Sequence, residues 1–259
     1  MTLGPRLACA LTLAALAAGC SSTEKDVPSD PAWGDAEAAY VAGDWSRAIA
    51  SFQRFLADNP RDPRRFDARL RIGRAHLALG RPAAALPHVE EVIASDGAPS
   101  ERVAEGHSVR GLIYHQMGLP ERAETDFLRA LSKGGGQIRR DDCLYFLGVS
   151  RIRQGRWDEG IADLNLLLRE TPDSAWAPRA RGIRGSTSHV FVVQAGAFAD
   201  AAGARRRADD LRERGIDVEL VPDGALTAVR FGRFRTWREA QAEAERVQRE
   251  CEMETVVIP

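Results

Sequence analysis

The chain reads as a multidomain protein in which an all-α solenoid of helical hairpins is followed by a smaller α+β unit of βαββαβ order. Three observations predict this. Gly43, Gly80, Gly118 and Gly155 recur 37, 38 and 37 residues apart, a spacing typical of stacked supersecondary repeats. Around each of them apolar residues fall at helical intervals, as in Ile49, Phe52, Phe55 and Leu56, or Ile161, Leu164, Leu167 and Leu168. From His189 onward the pattern turns to strand alternation punctuated by turn residues. A length of 259 residues also exceeds what one compact core usually needs.

Composition narrows the function classes. With 44% apolar and 28% charged residues the chain is neither a polytopic membrane protein nor wholly disordered. A net charge of -1 provides no global field to recruit nucleic acid or an anionic membrane. All but Lys25 and Lys133 of the 36 basic residues are arginines, a skew that fits base composition better than a phosphate-binding surface.

The N-terminal segment comes first in chain order. Arg6 precedes twelve small or apolar residues, Leu7 to Ala18. As a helix this run spans about 18 Å, short of the roughly 30 Å hydrocarbon core, so it reads as a signal peptide rather than a permanent span. Leu16, Ala17, Ala18, Gly19 and Cys20 resemble a bacterial lipoprotein processing box. That resemblance implies removal of residues 1–19 and a covalent lipid on Cys20; no other cofactor and no metal is expected. Ser21 and Ser22 do not resemble the Asp-type signal that retains lipoproteins at the inner membrane, which implies a lipid anchor in the outer membrane with the body facing the periplasm. Residues 20–31 then form a polar tether of roughly 35 Å. Cys143 and Cys251 are far apart and read as apolar residues of separate helices rather than a disulfide.

The repeats come next. Five residues after the first three turn glycines stand Ala48, Ala85 and Ala123, with Gly160 at the matching place of the fourth, and four further on lie Phe52, Val89, Phe127 and Leu164. Gly73, Gly111 and Gly148 each precede a turn glycine by seven residues, where two helices are expected to touch. Each unit thus reads helix, glycine turn, helix, and it resembles the tetratricopeptide repeat. The array takes residues 32–182, about four units plus a final solvating helix near Asp173 to Arg181. Pro82 and Pro120 suit helix starts, whereas Pro87 is expected to kink or shorten its helix. The resemblance implies a groove for a protein partner. Glu37, Tyr40, Arg74, Gln116, Tyr145 and Arg153 are the groove candidates; each reads equally as a solvated charge or a packed aromatic.

After a linker over 183–188, the last unit takes residues 189–259. Strands are expected at His189 to Ala195, Ile216 to Val221, Leu226 to Phe231 and Met253 to Ile258, with helices at Asp200 to Arg214 and Thr236 to Glu250. Val192, Val193, Gln194, Ala195, Gly196, Ala197 and Phe198, with Val229, Arg230, Phe231, Gly232, Arg233 and Phe234 after the first helix, resemble the SPOR domain. That family implies binding of peptidoglycan, specifically glycan strands stripped of their stem peptides. Strand parity argues independently: Phe191, Val193, Ala195, Val229 and Phe231 pack under the helices, leaving Val192, Gln194 and Arg230 on the open face. An amide and a guanidinium fork beside small apolar surface suit a neutral sugar, and Gly196 permits close approach of a ligand. Phe198 reads either as part of that face or as a plug of the core. The open face lacks the stacking aromatics of RNA-recognition sheets, and residues 189–259 carry 11 arginines against 13 acids, so nucleic acid is not expected.

No chemistry is visible. His76, His88, His107, His115 and His189 make no metal spacing such as HExxH, and neither a GxSxG nor a phosphate-cradling loop occurs. The sequence therefore predicts a non-enzymatic envelope lipoprotein joining wall and partner, in cell division or wall remodelling. Its rivals are a scaffold subunit of an outer-membrane protein assembly complex and an activator of a wall hydrolase.

Overall fold

The computed structural model describes residues 30–133, 138–185 and 188–259. The signal segment, Cys20 and nearly all of the tether lie outside the described residues.

Eight helices pair into four antiparallel hairpins: α1 (Pro31–Val41) with α2 (Trp45–Asp58), α3 (Arg65–Ala78) with α4 (Pro82–Ala94), α5 (Ser100–Gln116) with α6 (Pro120–Lys133), and α7 (Arg140–Arg153) with α8 (Trp157–Glu170). A shorter α9 (Ala177–Gly185) packs on α8. Each hairpin turns on its repeating glycine, at φ of 75°, 67°, 71° and 82°, a left-handed conformation that costs side-chain-bearing residues about 1 kcal/mol or more. Where the paired helices cross, Ala48, Ala85 and Ala123 are fully buried, and Phe52, Val89, Phe127 and Leu164 fill the space between units. Burying each of these four side chains contributes about 1.5–3 kcal/mol. Gly73, Gly111 and Gly148 are contact glycines, facing Val89, Phe127 and the backbone of Gly160 respectively. The expected shortening at Pro87 does not occur. The helix runs Pro82–Ala94 through it, because in the second turn the ring removes one hydrogen bond while Ala85, Val89 and Val92 remain buried beneath.

The C-terminal domain comprises β1 (Phe191–Phe198), α10 (Ala201–Glu213), β2 (Val218–Asp223), β3 (Leu226–Phe234), α11 (Trp237–Cys251) and β4 (Val256–Ile258). The antiparallel sheet has the order β2-β3-β1-β4, so the first and third strands are central neighbours. Ala204, Ala208 and Leu211 of α10 and Ala240, Ala244 and Val247 of α11 cover one face. Asp200 and Thr236, expected as first helical residues, are the caps: Asp200 accepts from the Gly203 N–H at 2.6 Å, and Thr236 forms a reciprocal capping box with Glu239. Cys143 and Cys251 are both free thiols, Cys143 buried.

The two parts are docked. Of the expected 183–188 linker, residues 183–185 belong to α9. Trp157 of α8 stacks on His189 at 5.3 Å between ring centroids and meets Phe191 at 5.2 Å. The Arg153 guanidinium lies 4.7 Å from the Trp237 ring, and Arg238 pairs with Glu121 at 3.1 Å. The turn glycines Gly118 and Gly155 lie against Trp237 and the backbone of Arg235. One apolar cluster consequently runs from α7 and α8 into the sheet.

Candidate functional site

The site begins with two glycines. Gly196 in β1 and Gly232 in β3 have φ of 131° and 71°, and the strand register slips at both places. Each slip is a bulge: β1 gains a residue around Gly196, β3 around Gly232. In each case the phenylalanine two residues on, Phe198 or Phe234, lays its ring against the glycine where a Cβ would stand. The two halves of the domain repeat at an offset of 36 residues, pairing Gln194 with Arg230, Gly196 with Gly232, Phe198 with Phe234, Asp200 with Thr236, Ala204 with Ala240, Ala208 with Ala244 and Leu211 with Val247. The sequence carried this signal, although alternation alone does not expose it.

A bulge shifts side-chain parity by one. Val192, Gln194 and Arg230, before the bulges, stay on the face away from the helices, while Phe198 turns inward and packs against the core. Phe198 is thus half-buried, with its ring set against the core beneath the open face. Gly196 is partly exposed at the strand's end.

Gln194 and Arg230 stand directly opposite in the β1–β3 ladder, with Glu219 beyond Arg230 in β2. Arg230 Nε donates to Gln194 Oε1 at 3.1 Å, and its outer Nη2 donates to Asp223 Oδ2 at 3.0 Å. The guanidinium is thus fixed at both ends of its fork yet a quarter exposed, which leaves donors for a ligand. Asp223 and Glu219 were not singled out from sequence. The Pro222-Asp223-Gly224 turn was the available signal, since it folds Asp223 back beside Arg230. Val192, Glu219, Val221 and Arg230 line a depression of about 470 Å³ that continues to Asp217, Arg233 and Arg246. Its three acids, Asp217, Glu219 and Glu243, balance the three arginines, a field suited to a neutral polar ligand rather than a polyanion. No described residue of α1–α9 lines it, so the array leaves this depression open.

Comparison with known proteins bears on both parts. Residues 35–101, 70–139 and 109–175 match the tetratricopeptide repeat family, together more than half of the chain. The chain belongs to the tetratricopeptide-repeat family. Residues 188–256 match the SPOR domain. No curated protein matches the chain. A crystal structure of MamA is 18% identical, covering 57% of this chain and 85% of its own, with a TM-score of 0.46. MamA from Desulfovibrio magneticus RS-1 is 23% identical, covering 56% and 77%, with a TM-score of 0.46. Kinesin light chain TPR-like repeats from Podosopora anserina are 15% identical, covering 83% and 95%, with a TM-score of 0.50. At such identities the last of these shows likeness of fold alone. SPOR domains bind peptidoglycan and tetratricopeptide repeats mediate protein interactions, so both parts of this chain are binding modules.

In the tetratricopeptide array, the first helices of successive units, α3, α5 and α7, touch one another. Glu37 pairs with Arg71, Arg74 with Glu105 at 2.7 Å, and Arg102 with Asp67 at 2.8 Å, an ion-pair ladder from α1 to α5. Tyr40 packs edge-on against Trp45, and exposed Gln116 donates to the Leu77 carbonyl at 3.3 Å. Tyr145 and Arg153 require correction as groove residues. Tyr145 is 8% exposed and stacked on Trp176 of the array itself, and Arg153 lies under Trp237 where the SPOR domain meets this end of the array.

Proposed function

We propose that this protein is a non-catalytic bacterial envelope lipoprotein, anchored by lipid on Cys20 in the outer membrane, that holds denuded peptidoglycan glycan strands on its SPOR sheet and a protein partner on its tetratricopeptide array. The observation that carries the reading is the Gln194–Arg230 hydrogen bond on the sheet face, with Arg230 at the edge of a charge-balanced depression that no described array residue lines. Amide oxygen, amide N–H and guanidinium donors match the hydroxyl and N-acetyl groups of a glycan, and the flanking Val192 and Val256 offer apolar contact. The lipid raises the effective concentration of even a weak glycan site near the wall, concentrating the array where naked glycan is exposed during division or remodelling.

Sedimentation with amidase-treated sacculi tests it. Arg230→Glu removes the fork and places an acid beside Asp223, so pelleting is expected to fall about tenfold or more, in line with loss of a charge-assisted hydrogen bond. Gln194→Ala is expected to weaken it less. Undiminished pelleting of folded Arg230→Glu protein rules out the platform.

A further inference from the structure

At the junction of the two domains lies a cavity of about 180 Å³ lined by Tyr145, Val149, Ile152 and Arg153 of α7, Ile183 of α9, Phe191 of β1, Trp237 of α11, and Val257 and Pro259 at the C-terminal end. Its walls are apolar except for two side chains. Arg153 Nη1 donates to the His115 carbonyl at 3.0 Å and lies 3.5 Å from His115 Nδ1, while the guanidinium stacks on Trp237. Among the described residues no carboxylate lies within salt-bridge reach of it, and its Nε and Nη2 meet no acceptor. Arg153 is half-buried, so a guanidinium without a counter-ion keeps donors turned toward the cleft. Burial draws its pKa down to about 10, still cationic at neutral pH, and holds His115 down to about 3, so the imidazole adds no charge. Among the described residues the sealed side-chain atoms lacking a partner are His76 Nδ1 and Trp157 Nε1; the free Arg153 donors and the Tyr145 hydroxyl are not among them and stay reachable.

A small half-open cleft with apolar walls, one cation without a counter-ion and one hydroxyl has the form of a ligand site rather than a packing defect. We propose that this cavity binds a small amphipathic carboxylate, with Arg153 and Tyr145 holding the carboxylate and Val149, Ile152, Phe191 and Val257 enclosing a short branched apolar body. Because α7, α11 and β4 all contribute walls, the occupant fastens the SPOR domain to the array. This site is distinct from the sheet face, and its test does not depend on glycan binding.

Full-length protein is titrated calorimetrically with 4-methylpentanoate and with 4-methylpentanamide at pH 7, and melting temperature is followed in parallel. Saturable binding of the acid with a rise in Tm, and no comparable response to the amide, is expected. Arg153→Gln is expected to weaken binding at least tenfold. Val149→Phe, which keeps the charge but fills the space, is expected to abolish it and decides the matter if Arg153→Gln does not fold. No saturable binding, equal response to acid and amide, or wild-type affinity in the Val149→Phe protein overturns the proposal. A peptide ending in Val-Leu, free or amidated at its C-terminus, separates the two sources of this chemistry: tighter binding of the free-ended peptide identifies a protein chain terminus, and preference for the free acid identifies a small organic acid.

Discussion

At the scale of single residues, Gly232 and Gly196 set the bulges that shape the open face of the sheet. At Gly232 a side chain meets two penalties: a left-handed backbone and the Phe234 ring already occupying the space of its Cβ. Gly215 separates them, since it has a φ of 79° but nothing within 4 Å of its would-be Cβ. Gly215→Ala is expected to cost about 1 kcal/mol in urea denaturation and Gly232→Ala about 2–4 kcal/mol, the excess reporting displacement of Phe234. Equal losses would mean that the ring moves aside freely. Gln194 and Arg230 were legible from alternation because they precede the bulges. Phe198 was not, because one inserted residue reverses a period of two and leaves no mark in the apolar pattern.

At the scale of elements, the repeat is a solution to helix crossing, and its glycines are not equivalent. A Cβ on Gly73 would meet a methyl of Val89 at 2.7 Å, the movable end of a side chain. One on Gly160 would meet the backbone oxygen of Gly148 and Cγ1 of Ile152, both at 2.5 Å. Backbone cannot yield without separating α7 from α8, so Gly160→Ala is expected to lower Tm by several degrees more than Gly73→Ala, as read by calorimetry. The 37-residue period made these helices and their crossings visible in the sequence, because the turn glycine and the small residue five places on are local requirements. Helix ends were less visible. Asp200 and Thr236 read as first helical residues because a cap and a first-turn residue share the same polar character, and only the hydrogen bonds to Gly203 and Glu239 distinguish them.

At the scale of the whole molecule, the junction is where sequence reading stopped. Trp157, Arg153 and Trp237 each have an ordinary place in their own element, and nothing local in the chain tells one surface which other surface it will meet. Besides His189 and Phe191, the docking contacts come from the second half of the SPOR domain: Arg235, Trp237 and Arg238 face the array, whereas their counterparts at the 36-residue offset, Ala199, Ala201 and Ala202, are exposed. Docking also gives the molecule an acid sensitivity whose sign can be stated. Burial beside Arg153 holds the His115 pKa at about 3 in the folded protein, against about 6.5 for a free imidazole. Between those values the unfolded chain binds the extra proton and the folded chain does not, so this residue's contribution to stability is complete above pH 6.5 and is lost as pH falls toward 3. Protonation there would set a second positive charge 3.5 Å from Arg153, at the contact that carries Trp237. The expected result is that His115→Gln flattens the fall in stability between pH 6 and 4 in urea melts. Trp237→Ala, which removes the docking ring but leaves His115 in place, is expected to free the SPOR domain at neutral pH, seen as faster proteolysis near residues 183–190, with sacculus binding retained. Loss of sacculus binding in that variant would show that the array does more than carry the sheet: it would hold the Gln194–Arg230 platform in its competent form.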